Sequence, residues 1–139
     1  GDFDGDGKLD AAVFRPSNGT WYILQSSNNQ LVQQPFGVAS DIPVPADYDG
    51  DGKTDITVFR PSTGYWFTST NPQTNYGAVQ FGANGDVPVP ADYDGDGRAD
   101  VAVYRPTNGV WYLLQSRSGF TGVQFGTAED KPIPNTYIR

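Results

Sequence analysis

The nine residues Asp47-Tyr-Asp-Gly-Asp-Gly-Lys-Thr-Asp55 recur at Asp2–Asp10 and Asp92–Asp100, 45 residues apart each time and always as D-x-D-x-D-G-x-x-D. Four carboxylates so close together repel one another, and a hard cation removes that penalty. Ca²⁺ takes six to eight oxygen ligands from carboxylates, backbone carbonyls and water at about 2.3–2.6 Å. Aspartates at the first, third and fifth places converge on one point only if the chain curls tightly. Gly7, Gly52 and Gly97 at the sixth place permit that turn, because glycine takes φ > 0 without a Cβ clash. The ligand sets read from this spacing are Asp2, Asp4, Asp6 and Asp10; Asp47, Asp49, Asp51 and Asp55; and Asp92, Asp94, Asp96 and Asp100. Lys8, Lys53 and Arg98 at the seventh place would add backbone carbonyls, with their side chains pointing to water. An EF-hand would carry Glu at the twelfth place, between helices; here that place is Val13, Val58 or Val103, inside a strand pattern. A solvated acidic turn explains one such loop, whereas three copies with the same fourth carboxylate favour three calcium sites.

Between the loops the pattern is of short strands. In the second copy these are strand A (Ile42 to Ala46), strand B (Asp55 to Arg60), strand C (Tyr65 to Ser69) and strand D (Ala78 to Phe81), with a polar loop from Thr70 to Asn75. The other copies repeat B, C and D as Ala11 to Arg15, Thr20 to Ser26 and Leu31 to Phe36, and as Val101 to Arg105, Val110 to Ser116 and Thr121 to Phe125. Glycine and proline together supply 28 residues and aromatics 14 %, which suits strands joined by tight turns. Four short strands every 45 residues predict an all-β fold of β-propeller-type blades, with repeats over 1–41, 42–86 and 87–130 and a closing or donated inner strand over 131–139.

Prolines place strand A. Pro43 and Pro45 are two apart, so both missing N–H donors lie on one edge; Pro88 with Pro90 and Pro132 with Pro134 repeat this. Such an edge must be unpaired, as on the innermost strand of a blade facing a central channel. Strands B and C are then central and expected to be buried on both faces. The first repeat opens at its acidic loop, and Lys131 to Tyr137 reads as a strand A, with Thr136 in place of the first loop aspartate and no fourth metal site. Closed propellers have about four to eight blades. Three blades therefore make a fragment of a larger chain, half of a six-bladed dimer, or a link in an open assembly. A tail pairing with the first blade of another copy would be strand addition between molecules, giving a ring or a filament.

The formal net charge is −7, but twelve of the sixteen acidic residues lie in the three loops, so the acidity belongs to the metal sites. No Lys/Arg cluster is present to neutralise phosphates, which argues against nucleic acid. No apolar run approaches the roughly eighteen residues of a membrane span. Gly1 in place of an initiator Met suggests a processed or excised piece. With no Cys for disulfides, and with millimolar calcium available outside cells to weak loop sites, an extracellular or cell-surface location is expected.

With Phe36-Gly37, Phe81-Gly82 and Phe125-Gly126 beside the acidic loops, the chain resembles the FG-GAP/VCBS repeat family over essentially its whole length. The family's Gly-Ala-Pro after strand B appears here as Phe14-Arg15-Pro16, Phe59-Arg60-Pro61 and Tyr104-Arg105-Pro106; with the Gly-x-Trp that follows, this looks like the bacterial VCBS-type variant. The resemblance implies calcium-loaded propellers of the kind found in integrin α-subunits and secreted microbial proteins, usually of seven blades.

Two further repeated sets stand out. Trp21, Trp66 and Trp111 on strand C are either core or a sugar-stacking platform. Arg15, Arg60 and Arg105 either pair with a nearby carboxylate or carbonyl or reach a ligand. Asn18-Gly-Thr20 is a glycosylation sequon in the first copy alone, better ascribed to chance. The absence of His and Cys removes the commonest general base and the strongest nucleophile. The reading that results is a non-catalytic module for protein interaction or self-assembly through its C-terminal strand. The alternative is a carbohydrate-binding propeller using Trp and Arg between blades.

Overall fold

A computed structural model describes residues 1–70 and 75–134. It contains eleven strands among these residues and no helix. They are β1 (Ala11–Arg15), β2 (Thr20–Leu24), β3 (Leu31–Pro35), β4 (Ile42–Pro43), β5 (Thr57–Arg60), β6 (Tyr65–Thr70), β7 (Asn75–Gln80), β8 (Val87–Pro88), β9 (Val101–Arg105), β10 (Val110–Gln115) and β11 (Gly119–Gln124). They form three antiparallel sheets, in the orders β1-β2-β3, β4-β5-β6-β7 and β8-β9-β10-β11. Each sheet is one blade of the repeat.

Strand A is shorter than its sequence suggests, and the prolines explain why. The pairs Ile42–Phe59 and Pro43–Val58 form β4, and the same register continues to an isolated bridge between Ala46 and Asp55. Val44 N–H donates to the Thr57 carbonyl at 2.8 Å and Asp55 N–H to the Ala46 carbonyl at 2.8 Å. The ladder therefore runs through residues 42, 44 and 46, while Pro43 and Pro45 sit on the edge without a neighbouring strand. β8 repeats this, with a bridge between Ala91 and Asp100. Residues of the two strand-A segments line one apolar cavity of about 400 Å³, among them Ile42, Pro43, Val87 and Pro88. The inner strands of adjacent blades thus face the same space.

Strand D of the second blade begins earlier than expected. β7 starts at Asn75, opposite Thr70, so the connection is 71–74, which lies outside the described residues, as does 135–139. The conserved shape of each blade end comes from a glycine pair. Phe36, Phe81 and Phe125 N–H groups donate to the carbonyls of Gly19, Gly64 and Gly109. A Cβ on any of these three B–C turn glycines would strike the carbonyl of Gly37, Gly82 or Gly126, and all three have positive φ (62°, 70° and 68°).

One buried cluster lies within the third blade, around Val89, Ala102, Tyr104 and Leu113, and another lies between blades. Val44, Phe59 and Trp66 of the second blade meet Val103 of the third, with Phe81 and Tyr112 packed alongside. Side chains alternate along strand B, so Val58 and Val103 point back towards the preceding blade and Phe59 and Tyr104 forward. The expectation that strand B is buried on both faces holds for β5 and β9 and fails for β1. Val58 and Val103 are 1 % and 0 % exposed, whereas Val13 is 59 % exposed because no blade covers that face.

Candidate metal centres

Each acidic loop is held curled by its own carboxylates. The first aspartate is pinned twice. Asp2, Asp47 and Asp92 accept the N–H of the fourth loop residue (Gly5, Gly50, Gly95) at 2.7 Å and of the sixth (Gly7, Gly52, Gly97) at 2.9 Å. The third and fifth aspartates each accept the N–H two residues on, as in Asp6 to Asp4 at 3.1 Å and Lys8 to Asp6 at 2.8 Å. Both glycine places have positive φ: Gly50 at 82° as well as Gly52 at 87°. The second glycine is legible in the sequence as a calcium-loop requirement, whereas the positive φ of the first becomes evident only in the fold.

In every copy three carboxylates each offer one oxygen within 4.8 Å of the others: Asp2, Asp4 and Asp6; Asp47, Asp49 and Asp55; Asp92, Asp94 and Asp96. Oxygens at about 2.3–2.6 Å from one ion lie no farther apart than roughly 5 Å, so the donor set fits a hard divalent cation. All the side-chain donors are oxygen, which suits calcium or magnesium over the softer metals.

The ninth-place aspartate ties separate segments together. Asp10 accepts the N–H groups of Phe3 (2.7 Å) and Asp4 (3.2 Å) on one oxygen and of Ser26, beyond β2, on the other (2.7 Å). Asp100 does the same with Tyr93 (2.8 Å) and Ser116 (2.7 Å). Burial pushes the Asp10 carboxyl up, but the N–H donors of Ser26, Phe3 and Asp4 outweigh it and hold it below the ordinary 3.8. At Asp55 burial dominates and the charges of Asp49, Asp47 and Asp51 add to it. Against these stands the Tyr48 N–H, and the carboxyl is pushed up to about 6. A bound cation would relieve that congestion.

Residues beyond the loops complete the first and third cages, and local spacing did not reveal them. Ser26 Oγ bonds both oxygens of Asp6 (3.1 and 3.0 Å), Ser27 Oγ donates to Asp4 (2.6 Å), and Ser116 Oγ reaches Asp96 (2.7 Å). Arg117 and Ser118 N–H groups cap Asp94 at 2.9 and 3.0 Å. The loop aromatic at the second place anchors the loop to strand A. Tyr48 and Tyr93 hydroxyls donate to the Val44 and Val89 carbonyls at 2.7 Å, and burial, with the nearby Asp100 charge, pushes Tyr93 up to about 12.

Neighbouring loops touch. Thr54 N–H donates to the Asp2 carbonyl and Ala99 N–H to that of Asp47, both at 2.7 Å, while Asp2 N–H reaches Thr54 Oγ1 at 3.0 Å. The side chains at the seventh place are exposed, and the stems of Lys53 and Arg98 also lie along the preceding loop. A Cβ on Gly5 would lie 2.8 Å from Lys53 Cε, and one on Gly50 would lie 3.1 Å from Arg98 Cγ, so each stem crosses the preceding loop.

Trp21, Trp66, Arg60 and Arg105 fall on the structural side of their alternatives. Trp21 and Trp66 are each 2 % exposed, with indole N–H groups bonded to the Phe36 and Phe81 carbonyls at 3.0 and 2.9 Å. They offer no face to a sugar, which corrects their assignment as candidate ligand-binding residues. Trp111, half-buried, makes the same bond to Phe125 at 2.9 Å. Arg60 makes a bidentate ion pair with Asp41 at 2.8 and 2.9 Å, and Arg105 repeats it with Asp86; both carboxylates are buried. Each of these arginines also lies over an aromatic ring, Phe67 or Tyr112, as Arg15 lies over Tyr22. The aspartates went unassigned, although each stands five residues after a repeated Phe.

The FG-GAP-like repeat family matches residues 2–58 and 47–103, each span running from one acidic loop into the strand B that follows the next. The chain belongs to that family. Comparison with curated proteins and with solved structures gave no match. As an FG-GAP-like tandem repeat, the chain is an all-β, β-propeller-type module whose Asp-rich loops could hold metal ions. Among the described residues no helix is long and apolar enough to cross a membrane.

Proposed function

We propose that this FG-GAP-like module is non-catalytic, holds three calcium ions and works outside the cell in protein interaction or self-assembly. The observation that carries this reading is the threefold repetition of one cage, down to the 2.7 and 2.9 Å bonds on the first aspartate. The ligands would be the first, third, fifth and ninth aspartates of each loop, with the carbonyls of Lys8, Lys53 and Arg98. Bound calcium supplies charge neutralisation. The chain supplies the rest: glycine turns that aim the oxygens, serine hydroxyls that hold the free lone pairs, and a ninth aspartate that fastens the loop to strand C. With twelve acidic residues gathered in three loops, the metal-free chain carries its repulsion where neighbouring blades touch. Location outside the cell supplies the calcium that weak loop sites need. The assembly part of the reading is that residues from 131 onward act as an inner strand for a neighbouring copy; it is supported by Lys131 to Tyr137 repeating the strand-A pattern, with Pro132 and Pro134 two apart.

Calcium titration with thermal melting tests the metal reading. At ten times the dissociation constant each site adds about 1.4 kcal/mol, so three sites should raise the melting temperature by roughly 10–20 °C over chelator. No binding heat and no gain in melting temperature would sink it.

A further inference from the structure

We infer that the groove between the first and second blades takes one uncharged aromatic ring, supplied by a side chain of a partner polypeptide. A cavity of about 220 Å³ lies there, lined by Phe36 and Gly37 of the first blade and by Val58, Arg60, Phe67 and Tyr76 of the second. Both walls are internal to the array. The pocket would give the interaction reading above its kind of partner. It depends on neither the metal nor the residues from 131 onward, so its failure would leave both of those parts standing.

The next junction shows what fits. Phe81, Tyr112 and Phe120 stand there at the places of Phe36, Phe67 and Tyr76. That space is filled from within: the Phe120 ring meets Phe81 edge-on at 6.2 Å and lies nearly parallel to Tyr112 at 6.4 Å, 20° between planes. Between blades one and two the corresponding ring turns away. Tyr76 stands at 65° to Phe67, 6.0 Å off, and among the described residues no ring pairs with Phe36. Two differences account for the turn. Ala78 lies opposite Phe67 where Gly122 lies opposite Tyr112, and Tyr65, in the place of Val110, stacks on Phe67 at 5.6 Å. An added Cβ and an added ring crowd the strand-C aromatic, so the strand-D ring stands on edge and leaves the gap.

Charge and polarity select the occupant. Arg60 is the one charged group of the lining, and Asp41 neutralises it through Nε and Nη2 at 2.8 and 2.9 Å, so the cavity offers an anion no net attraction. The flat guanidinium already lies over Phe67, 4.6 Å from the ring centroid. Such a cation also attracts the negative face of a second ring. A sugar would be poorly served. With Nε and Nη2 engaged, the lining side chains offer its hydroxyls little beyond the remaining guanidinium N–H groups and the Tyr76 hydroxyl.

The probe is N-acetylphenylalaninamide, titrated into the isotope-labelled chain and followed by its amide spectrum. Saturable shifts at Gly37 and Val58 are expected, with a dissociation constant on the order of 1 mM. Tyr76→Ala, which removes one wall, should weaken binding by roughly 3–10-fold. Phe120→Ala should empty the next junction and add a second set of saturable shifts, at Gly82 and Val103. Phe120 is 65 % exposed and belongs to neither buried cluster, so its truncation leaves the blades packed. Unshifted Gly37 and Val58 amides in the wild-type chain overturn the inference. So do shifts there from phenol or N-acetylglucosamine with none from the capped phenylalanine, and so does a folded Phe120→Ala chain that gains no second site.

Discussion

Asp6 and Asp10 lie in one loop and carry different burdens. Asp6 is exposed to its neighbours' charges and accepts one loop N–H, whereas Asp10 is buried and fastens three stretches of backbone. Substitution should separate the two roles. Asp51→Ala, at the place of Asp6, should cost within about 0.5 kcal/mol in chelator and about 1–2 kcal/mol in calcium. Asp100→Ala, at the place of Asp10, should cost about 2–3 kcal/mol already in chelator, because it strands buried N–H groups, and about 1–2 kcal/mol more in calcium, where it also removes a ligand. Denaturant melts of both variants with and without calcium check this, and equal losses for Asp51→Ala in the two conditions would mean that the loop holds no ion. The sequence disclosed Asp6 and Asp10 together, since ligand spacing is local. It did not disclose Ser26 or Asp41, whose partners lie 20 and 19 residues away and meet only once the strands have paired.

At the scale of elements, β1 and β9 run over the residues that the apolar pattern marked, Ala11 to Arg15 and Val101 to Arg105. Strands with less apolar character were misjudged in both directions. β4 stops at Pro43 although its register persists to Ala46, and β7 begins at Asn75 because an outer strand can present polar residues to water. Turn geometry fixes where each hairpin ends, so a turn glycine should matter more than a strand glycine. Gly64→Ala should lose roughly 2–4 kcal/mol, since its Cβ meets the Gly82 carbonyl at a positive φ. Gly77→Ala, on β7 with nothing within 4 Å, should gain about 0.5 kcal/mol. Comparing their melting temperatures tests the assignment; similar losses would show that the glycine pair does not set the blade end.

For the whole molecule, the contacts between blades among the described residues join neighbours, so stability is close to a sum of neighbour terms. A buried core joins blades two and three, and β1 is covered on fewer sides than β5 or β9. Hydrogen exchange on the monomer should accordingly release the amides of β1 before those of β5 and β9. Uniform protection across the three would contradict the picture of a row with an open first member. The repeat period alone made this blade-by-blade architecture legible, but not the loop-to-loop bonds from Thr54 to Asp2 and from Ala99 to Asp47. Those bonds give the three cages unequal standing. The middle one is clasped from both sides, so emptying it slackens two seams at once, whereas emptying an outer one slackens a single seam. If calcium fills these cages as proposed, a falling supply would thus crease the row at its centre, where one site holds two seams.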